Sequence, residues 1–499
     1  MKKSLFLLIL LLTATMFTGC VANKRKAQNF NVLSIEDIKD KETSITFLVR
    51  SGVISTALVD LEAEFEAEYP YIDVKVKALT GGYDDIRSTT LLDINSKNKE
   101  TADLVIGYPD HFVEYYSAGA LVDLQYFIQD KNVGFSKDEM ADFLESYLKE
   151  NRGYDDQYPE DLYGLPFNKS TEVMVYNKTA FKELFGEGWE SKVPKTWQEV
   201  ATISEEIITK VKAGELDKVF VESVDPETEV TTYLKVSDYL SDPDKKKFIP
   251  FGYDSSDNGF ITLTRQFGGK YTERVNVEKG YVRFNNTESK AAMAYFKDLN
   301  NKGYFGTAAN FGASYNSDAF KLIQVLMTVG SSAGVGYNAS KKYEYELGVA
   351  PIPYYNEDAK YVIQQGTNIG MINLNTDEEK LASWLFLKFL MRPEKTAQFA
   401  MATGGYLPVR KSAYETEAYS EYLTNPSDDK INHSAAANVA LKDYIEKNYT
   451  FFVDDAFVGS AKVRTEAGYI FNSIIVNNED ITKRFDEAYK TLTPFVEKK

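Results

Sequence analysis

The chain has one cysteine, Cys20, and two histidines, His111 and His433. A single thiol excludes internal disulfides and cysteine-rich metal sites, and one so near the N-terminus offers no nucleophile to a mature domain. Neither histidine stands in an H-E-x-x-H or triad-like context, which removes the common zinc and serine hydrolases. Basic charge is in deficit: 57 Lys and Arg against 74 Asp and Glu leave a net charge of -17. Such a surface argues against a nucleic-acid partner, whose phosphates require cations. Beyond the first residues no run approaches ~18 consecutive apolar side chains, so no later segment reads as a membrane span. Tryptophan is scarce too, 3 against 34 Tyr and 31 Phe, so stacking on a ligand falls to tyrosine.

The start of the chain carries an address. Lys2 and Lys3, the apolar run Leu5 to Leu12 and the small residues before Cys20 form the pattern of a secretory signal. Phe17-Thr18-Gly19-Cys20 resembles the lipobox of bacterial lipoproteins, with Phe17 where leucine is usual. The expectation is a signal peptide over 1–19, Cys20 as an acylated N-terminus, and a tether over 20–41. Its basic cluster Asn23-Lys24-Arg25-Lys26 lies beside the headgroups, each charge adding about 1 kcal/mol of attraction to anionic lipid.

The remaining length of about 460 residues allows two or three domains, and its patterning is α/β. Ser44 to Val49 is a strand, and Ile54, Leu58, Leu61 and Phe65 recur at helical spacing. Ile72, Val74, Val76 and Ala78 alternate with polar residues. This is a βαβ unit, which builds parallel sheet. The loop Thr80-Gly81-Gly82-Tyr83-Asp84-Asp85 and the triplet Tyr108-Pro109-Asp110 follow strands, where open α/β sheets place ligands. Pro194-Lys195-Thr196-Trp197-Gln198-Glu199 is a capping box opening a helix, with Thr196 at the N-cap and Glu199 at N3. Residues 205–250 are charged, show no sustained period and read as a surface insertion. Leu322 to Val329 and Leu347 to Ile352 are expected strands; Leu381 to Leu390 is an apolar helix with Trp384 in its core.

One segment fits no simple pattern. "YGLPFNKSTEVMVYNKTAF", Tyr163 to Phe181, neither alternates nor stays apolar, because Asn168, Lys169, Ser170 and Thr171 interrupt it. With "LVDLEAEFEAEYPYIDVKV", "PKTWQEV" and "WLFLKFLMRPEKTAQFAMATGGYLPVRKSAY" it resembles the extracellular solute-binding proteins of bacterial ABC importers. The branch is the one that includes the maltose- and sn-glycerol-3-phosphate-binding proteins, and the resemblance covers nearly all of residues 42–495. It implies two α/β lobes, each a mainly parallel sheet flanked by helices, joined by a hinge. On this pattern lobe 1 comprises 42–169 plus 331–374, and lobe 2 comprises 170–330 plus 375–499. Asn168 to Thr171 are then expected to face the cleft between lobes.

The resemblance also implies ligand positions. Tyr83, Ser170, Ser331, Gly366, Tyr406 and Arg464 fall on the family's cleft residues, and Pro109-Asp110 replaces a glutamate of the glycerol-3-phosphate branch. Residue chemistry adds Tyr108 and Tyr253, since phenols offer flat faces and hydroxyls to a polyol. The stretch Asp254 to Arg265 only brushes a calcium-loop pattern, with Arg265 where glutamate is required, so neither metal nor cofactor is expected. The function so implied is capture of a sugar or a glycerol-3-phosphate-like polyol phosphate, the phosphate being slightly favoured, and delivery to ABC permease subunits with their ATPase. The expected protein is a monomer, lipid-anchored on the outer face of the cytoplasmic membrane. A lipid-anchored glycoside hydrolase is the rival enzyme reading, but carboxylates are too abundant for any pair to single itself out. A surface adhesin would need repeats or a large apolar patch, and neither is evident.

Overall fold

The computed structural model describes residues 31–96, 101–241 and 247–497. The signal peptide, Cys20 and the tether to residue 30 lie outside these residues. The first βαβ unit forms as its pattern dictates. Strand β1 (Thr43–Arg50) pairs in parallel with β2 (Ile72–Leu79), Phe47 opposite Val76, and helix α1 (Val53–Glu68) connects them. Ile54, Leu58, Leu61 and Phe65 give α1 one buried face. The helix stops at Tyr69, in a non-helical conformation before Pro70, because a proline ring crowds the preceding residue out of the α region.

Among the described residues ten strands form one mixed sheet. On one side, β3 (Leu104–Gly107) joins β1 in parallel. On the other, β5 (Phe251–Tyr253), β6 (Phe305–Thr307) and β7 (Met327–Ser331) are mutually parallel. Two long strands connect the sides. The first half of β4 (Leu165–Asn177) pairs with β9 (Tyr361–Met371), and its second half pairs with β7 and with β8 (Leu347–Ala350). β9 in turn pairs antiparallel with β3, Ile369 opposite Ile106. β10 (Thr450–Phe452) adds to the N-terminal end of β9. The α/β architecture with two lobes is therefore as the sequence implies, each lobe holding parallel strands against antiparallel crossing strands.

The cores show where the lobes divide, and the division differs from the expected one. Helices 377–390 and 393–403 pack on the first lobe: Phe386 meets Phe47 and Phe65, and Phe389 meets Phe65. Conversely Val335, Tyr343, Ile352, Val362 and Ile363 are buried in the second core with Trp197 and Phe251. Residues 331–363 thus belong to the second lobe, and 377–403 to the first. Hydrophobic patterning says that these segments are buried; it does not say in which of two cores.

Three local expectations also move. The strand expected from Leu322 starts at Met327, because helix Asn316–Lys321 ends there and Ile323 turns the chain at φ 59°. The strand expected to reach Ile352 ends at Ala350. The supposed insertion begins later, since helix α2 (Trp197–Lys212) buries Ile203, Ile207 and Val211 in helical register. After it, Phe220, Leu234, Val236 and Tyr239 pack into the second core. The capping box is in place, with Thr196 Oγ1 accepting from the Glu199 N–H at 3.1 Å. Trp197 is fully buried and donates to Gln266 at 2.7 Å; Trp384 is buried and donates to the Val133 carbonyl.

Candidate functional site

The polar centre of β4 lies at the crossing, and every one of its side chains is buried. Thr367 donates to Asn168, whose amide donates to the Tyr83 hydroxyl at 3.3 Å. Lys169 pairs with Glu150 and donates to the Gly366 carbonyl at 3.1 Å. Ser331 Oγ lies 3.3 Å from Ser170 Oγ, and Thr171 donates to the Ile363 carbonyl. Glu172 accepts from the Tyr253 hydroxyl at 2.6 Å. These residues therefore do not line an open cleft as expected; they bind the crossing strands to each other and to both lobes. Buried polar groups left unpaired would each cost about 1–3 kcal/mol, which is why the run is polar and still stable.

Gly366 adds a backbone reason for the crossing's shape. Its φ is 95°, and a Cβ there would lie 2.0 Å from the Asn168 carbonyl oxygen. Only glycine permits this approach of β9 to β4. The register shifts between Gly366 and Asn368, a bulge that bends the strand where it changes lobe.

Facing this crossing is a cluster from both lobes. Arg464, on helix 460–475, donates to Asp257 at 2.8 Å, to Asp454 at 3.3 Å and to Asn258. Arg265 joins Asp454 from its other side at 3.3 Å and stacks 4.4 Å over Phe452. From the first lobe, Tyr108 and Asp110 line the same cavity with Glu150, Tyr271 and Gly366. Burial works against the Arg464 charge, but Asp257, Asp454 and Asp110 outweigh it and raise its pKa. Burial alone would also raise the Asp257 carboxyl; Arg464, the Ser255 hydroxyl and the Asn258 N–H outweigh that and hold it low. Behind the cluster, burial pushes Glu172 up to about 8.

The tyrosines form a second arm of the site. Tyr83, at the start of the helix Tyr83–Ser96, meets Tyr108 edge to face at 5.1 Å. Its hydroxyl is 3.4 Å from that of Tyr406, which stacks on Phe399 in the turn after helix 393–403. Of the expected site residues, Tyr83, Tyr108, Asp110, Gly366, Tyr406 and Arg464 meet at the crossing, with Ser170 and Ser331 paired beside them. Tyr253 does not belong to this surface. It is wholly buried, roughly parallel to Trp197, with its hydroxyl on Glu172. The helix that follows, Ser256–Gln266, supplies Asp257 and Asn258 from its first turn instead.

Sequence reasoning missed Asp454, Tyr271, Arg265 and Glu150, because none carries a motif; it marked the polar stretch Tyr253 to Gly259 without singling out Asp257 and Asn258 within it. His111 packs by the third-strand loop, its Nε2 facing Asp84 at 3.6 Å and Asp110 at 3.8 Å, and burial lowers its pKa. His433 packs beneath the turn glycines Gly336 and Gly404. Among the described residues no group of three His, Cys, Asp or Glu is disposed to hold a metal ion, and no described helix is long and apolar enough to cross a membrane.

The interlobe cavity is about 70 Å³, well below the ~300 Å³ at which small-molecule pockets begin. A larger groove of about 590 Å³ lies on the first lobe, away from the crossing. Its cations are committed: Arg392 to Glu68, Arg410 to Asp142, and Lys388 to the Val133 and Gly134 carbonyls. The chemistry converges at the crossing instead.

Two lobes sharing discontinuous chain, linked by crossing strands and meeting at one polar, tyrosine-lined site, give the chain the architecture of a two-lobed binding protein. The sequence model of the bacterial extracellular solute-binding protein family matches residues 61–427, and the chain belongs to that family. The sn-glycerol-3-phosphate-binding periplasmic protein UgpB of Shigella flexneri is 27% identical over 291 residues, 55% of this chain and 56% of that protein. The chain thus matches only about half the length of these curated relatives. The fold is shared with UgpB of Mycobacterium tuberculosis in complex with glycerophosphocholine (TM-score 0.69, 20% identity, 91% of this chain and 98% of that one). It is also shared with an ABC substrate-binding protein of Listeria monocytogenes in complex with cycloalternan (TM-score 0.67, 16% identity, 91% and 100%). The family and these relatives are solute-binding proteins rather than enzymes.

Proposed function

We propose that the protein is the receptor of an ABC importer, closing on a small hydroxyl-rich solute of the sugar or glycerophosphate class and presenting it to the permease. The observation that carries this reading is the meeting of Tyr83, Tyr108 and Asp110 of the first lobe with the Arg464–Asp257–Asp454 cluster of the second. Phenol faces suit C–H surfaces, and paired carboxylates and guanidinium offer fixed acceptors and donors to hydroxyls. Named relatives agree in class: one binds sn-glycerol-3-phosphate, and neighbours hold glycerophosphocholine or an oligosaccharide.

Closure follows from splitting the contacts between lobes. A solute shifts the hinge only by its differential affinity for the closed state, and micromolar binding supplies about 8 kcal/mol. On this reading the solute is released unchanged. Cys20 acylation holds the monomer on the outer face of the membrane and raises its concentration at the permease. Calorimetry with sugars, polyols and their phosphate esters, with scattering on the saturated protein, tests the reading. Binding of one such solute with a reduced radius of gyration is expected; an unchanged radius on saturation refutes hinge closure. Cys20→Ser is expected to release the protein from membranes, and retention there refutes the anchor.

A further inference from the structure

Arg464 is ringed by carboxylates, whereas Arg50, beside the tyrosine arm of the site, is not. Arg50 ends β1 at its carboxyl end, half-buried, and its Nε donates to the Gly81 carbonyl at 3.1 Å. Its guanidinium carbon lies 5.6 Å from the centre of the Tyr83 ring. Tyr315, an exposed residue of the second lobe, and Tyr406 are both close enough to act on its charge. No carboxylate among the described residues forms an ion pair with it. Helix α1, which follows directly, has no acidic residue in its first turn.

We propose that Arg50, with the phenols of Tyr83 and Tyr315, is an anion subsite that takes the phosphate-ester group of a solute whose hydroxyls are held at Asp110 and Arg464. This rests on the receptor reading above and gives that reading its chemical class. Arg464 is poorly suited to the anion. Three of its nitrogens already donate to Asp257, Asp454 and Asn258, and an anion there would sit beside Asp110, Asp257 and Asp454. Arg50 has neutral partners only, and the Nη–H donors in the plane of its guanidinium suit a bidentate contact with phosphate oxygens. The subsite also spans the lobes, Arg50 and Tyr83 from the first and Tyr315 from the second, so an anion there draws them together. Tyr83 touches Tyr108 at 5.1 Å, so one aromatic pair links the two subsites and could carry the solute's carbon chain between them.

The test is calorimetry on the full chain with glycerol 3-phosphate, glycerophosphocholine and maltotriose. At least one phosphate ester is expected to bind. Arg50→Gln should weaken it about tenfold or more, Arg50→Lys should recover part of the loss, and Tyr315→Phe should cost about threefold. Raising NaCl from about 50 to about 300 mM should weaken the ester's binding to the native protein more than to Arg50→Gln. Melting temperatures separate these effects from misfolding, and Tyr315→Phe, which removes one hydroxyl from an exposed ring, carries the test if Arg50→Gln misfolds. An ester affinity within twofold of native in both Arg50→Gln and Tyr315→Phe overturns the proposal. Binding of maltotriose with neither ester also overturns it and leaves the receptor reading standing. If no probe of any class binds, the receptor reading itself fails.

Discussion

Replacing Lys169 by methionine probes the crossing directly. The Lys169 side chain is wholly inaccessible; its amine pairs with Glu150, donates to the Gly366 carbonyl at 3.1 Å and lies 5.8 Å from the Tyr147 ring centre. Burial pulls its pKa well below the lysine range, and in so dry a site either group alone is stranded. Methionine fills nearly the same volume, so little cavity is left and the loss is mainly polar. Removing one partner of a buried pair costs about 3–5 kcal/mol, of which the carbonyl hydrogen bond contributes about 1. Lys169→Met should therefore lose about 3–4 kcal/mol of stability. Glu150→Gln keeps an acceptor for the amine and should lose only about 1–2 kcal/mol. The double replacement Lys169→Met with Glu150→Leu removes both polar groups and should return to within about 1.5 kcal/mol of native. Urea unfolding at neutral pH, read as a midpoint shift at constant slope, measures all three. A loss below about 1 kcal/mol for Lys169→Met, or strict additivity in the double variant, refutes the paired-site reasoning.

Three further outcomes follow from the same geometry. Gly366→Ala puts a Cβ 2.0 Å from the Asn168 oxygen and 2.6 Å from Lys169 Cα; because both are backbone atoms, it should cost about 3 kcal/mol or more, seen as a large fall in melting temperature. Tyr83→Ala should weaken solute binding by more than about 1 kcal/mol, whereas Tyr253→Phe should leave affinity within about twofold yet lose about 1–3 kcal/mol of stability by stripping Glu172 of its donor; calorimetry and urea unfolding separate the two. Glu172 has its folded pKa raised to about 8 by burial, from an unfolded value near 4.5, so the native state binds more protons between those values and stability falls as pH rises through that window. Glu172→Gln mimics the protonated acid and should flatten the decline between pH ~5 and ~8, checked by melting temperature against pH; an unchanged slope counts against it.

Much of the fold was readable because it is local. The spacing of Ile54, Leu58, Leu61 and Phe65 makes α1, the alternation after Ile72 makes β2, and Thr196 with Glu199 starts α2 at its cap. These depend on backbone periodicity and on groups within four residues of each other. The loops carrying Tyr83, Tyr108 and Asp110 were readable too, since they follow strands at the end where α/β sheets present their ligands. Arg50 stands at such an end as well, and only the absence of a motif hid it.

The sequence by itself determined the α/β elements, the acidic character and the tyrosine-based chemistry, because periodicity and composition act along the chain. Tertiary structure alone decided which core receives each apolar segment, so that helix 377–390 packs on Phe47 while Ile352 and Ile363 pack with Trp197. It also decided that Tyr253 is interior, that Asp454 and Asp257 hold Arg464, and that Lys169 meets Glu150. Asp454 and Arg265 are 189 residues apart in sequence, and Asp257 and Arg464 lie on different helices. The energy of such pairs depends on distance and burial in space, and neither is encoded in local order along the chain.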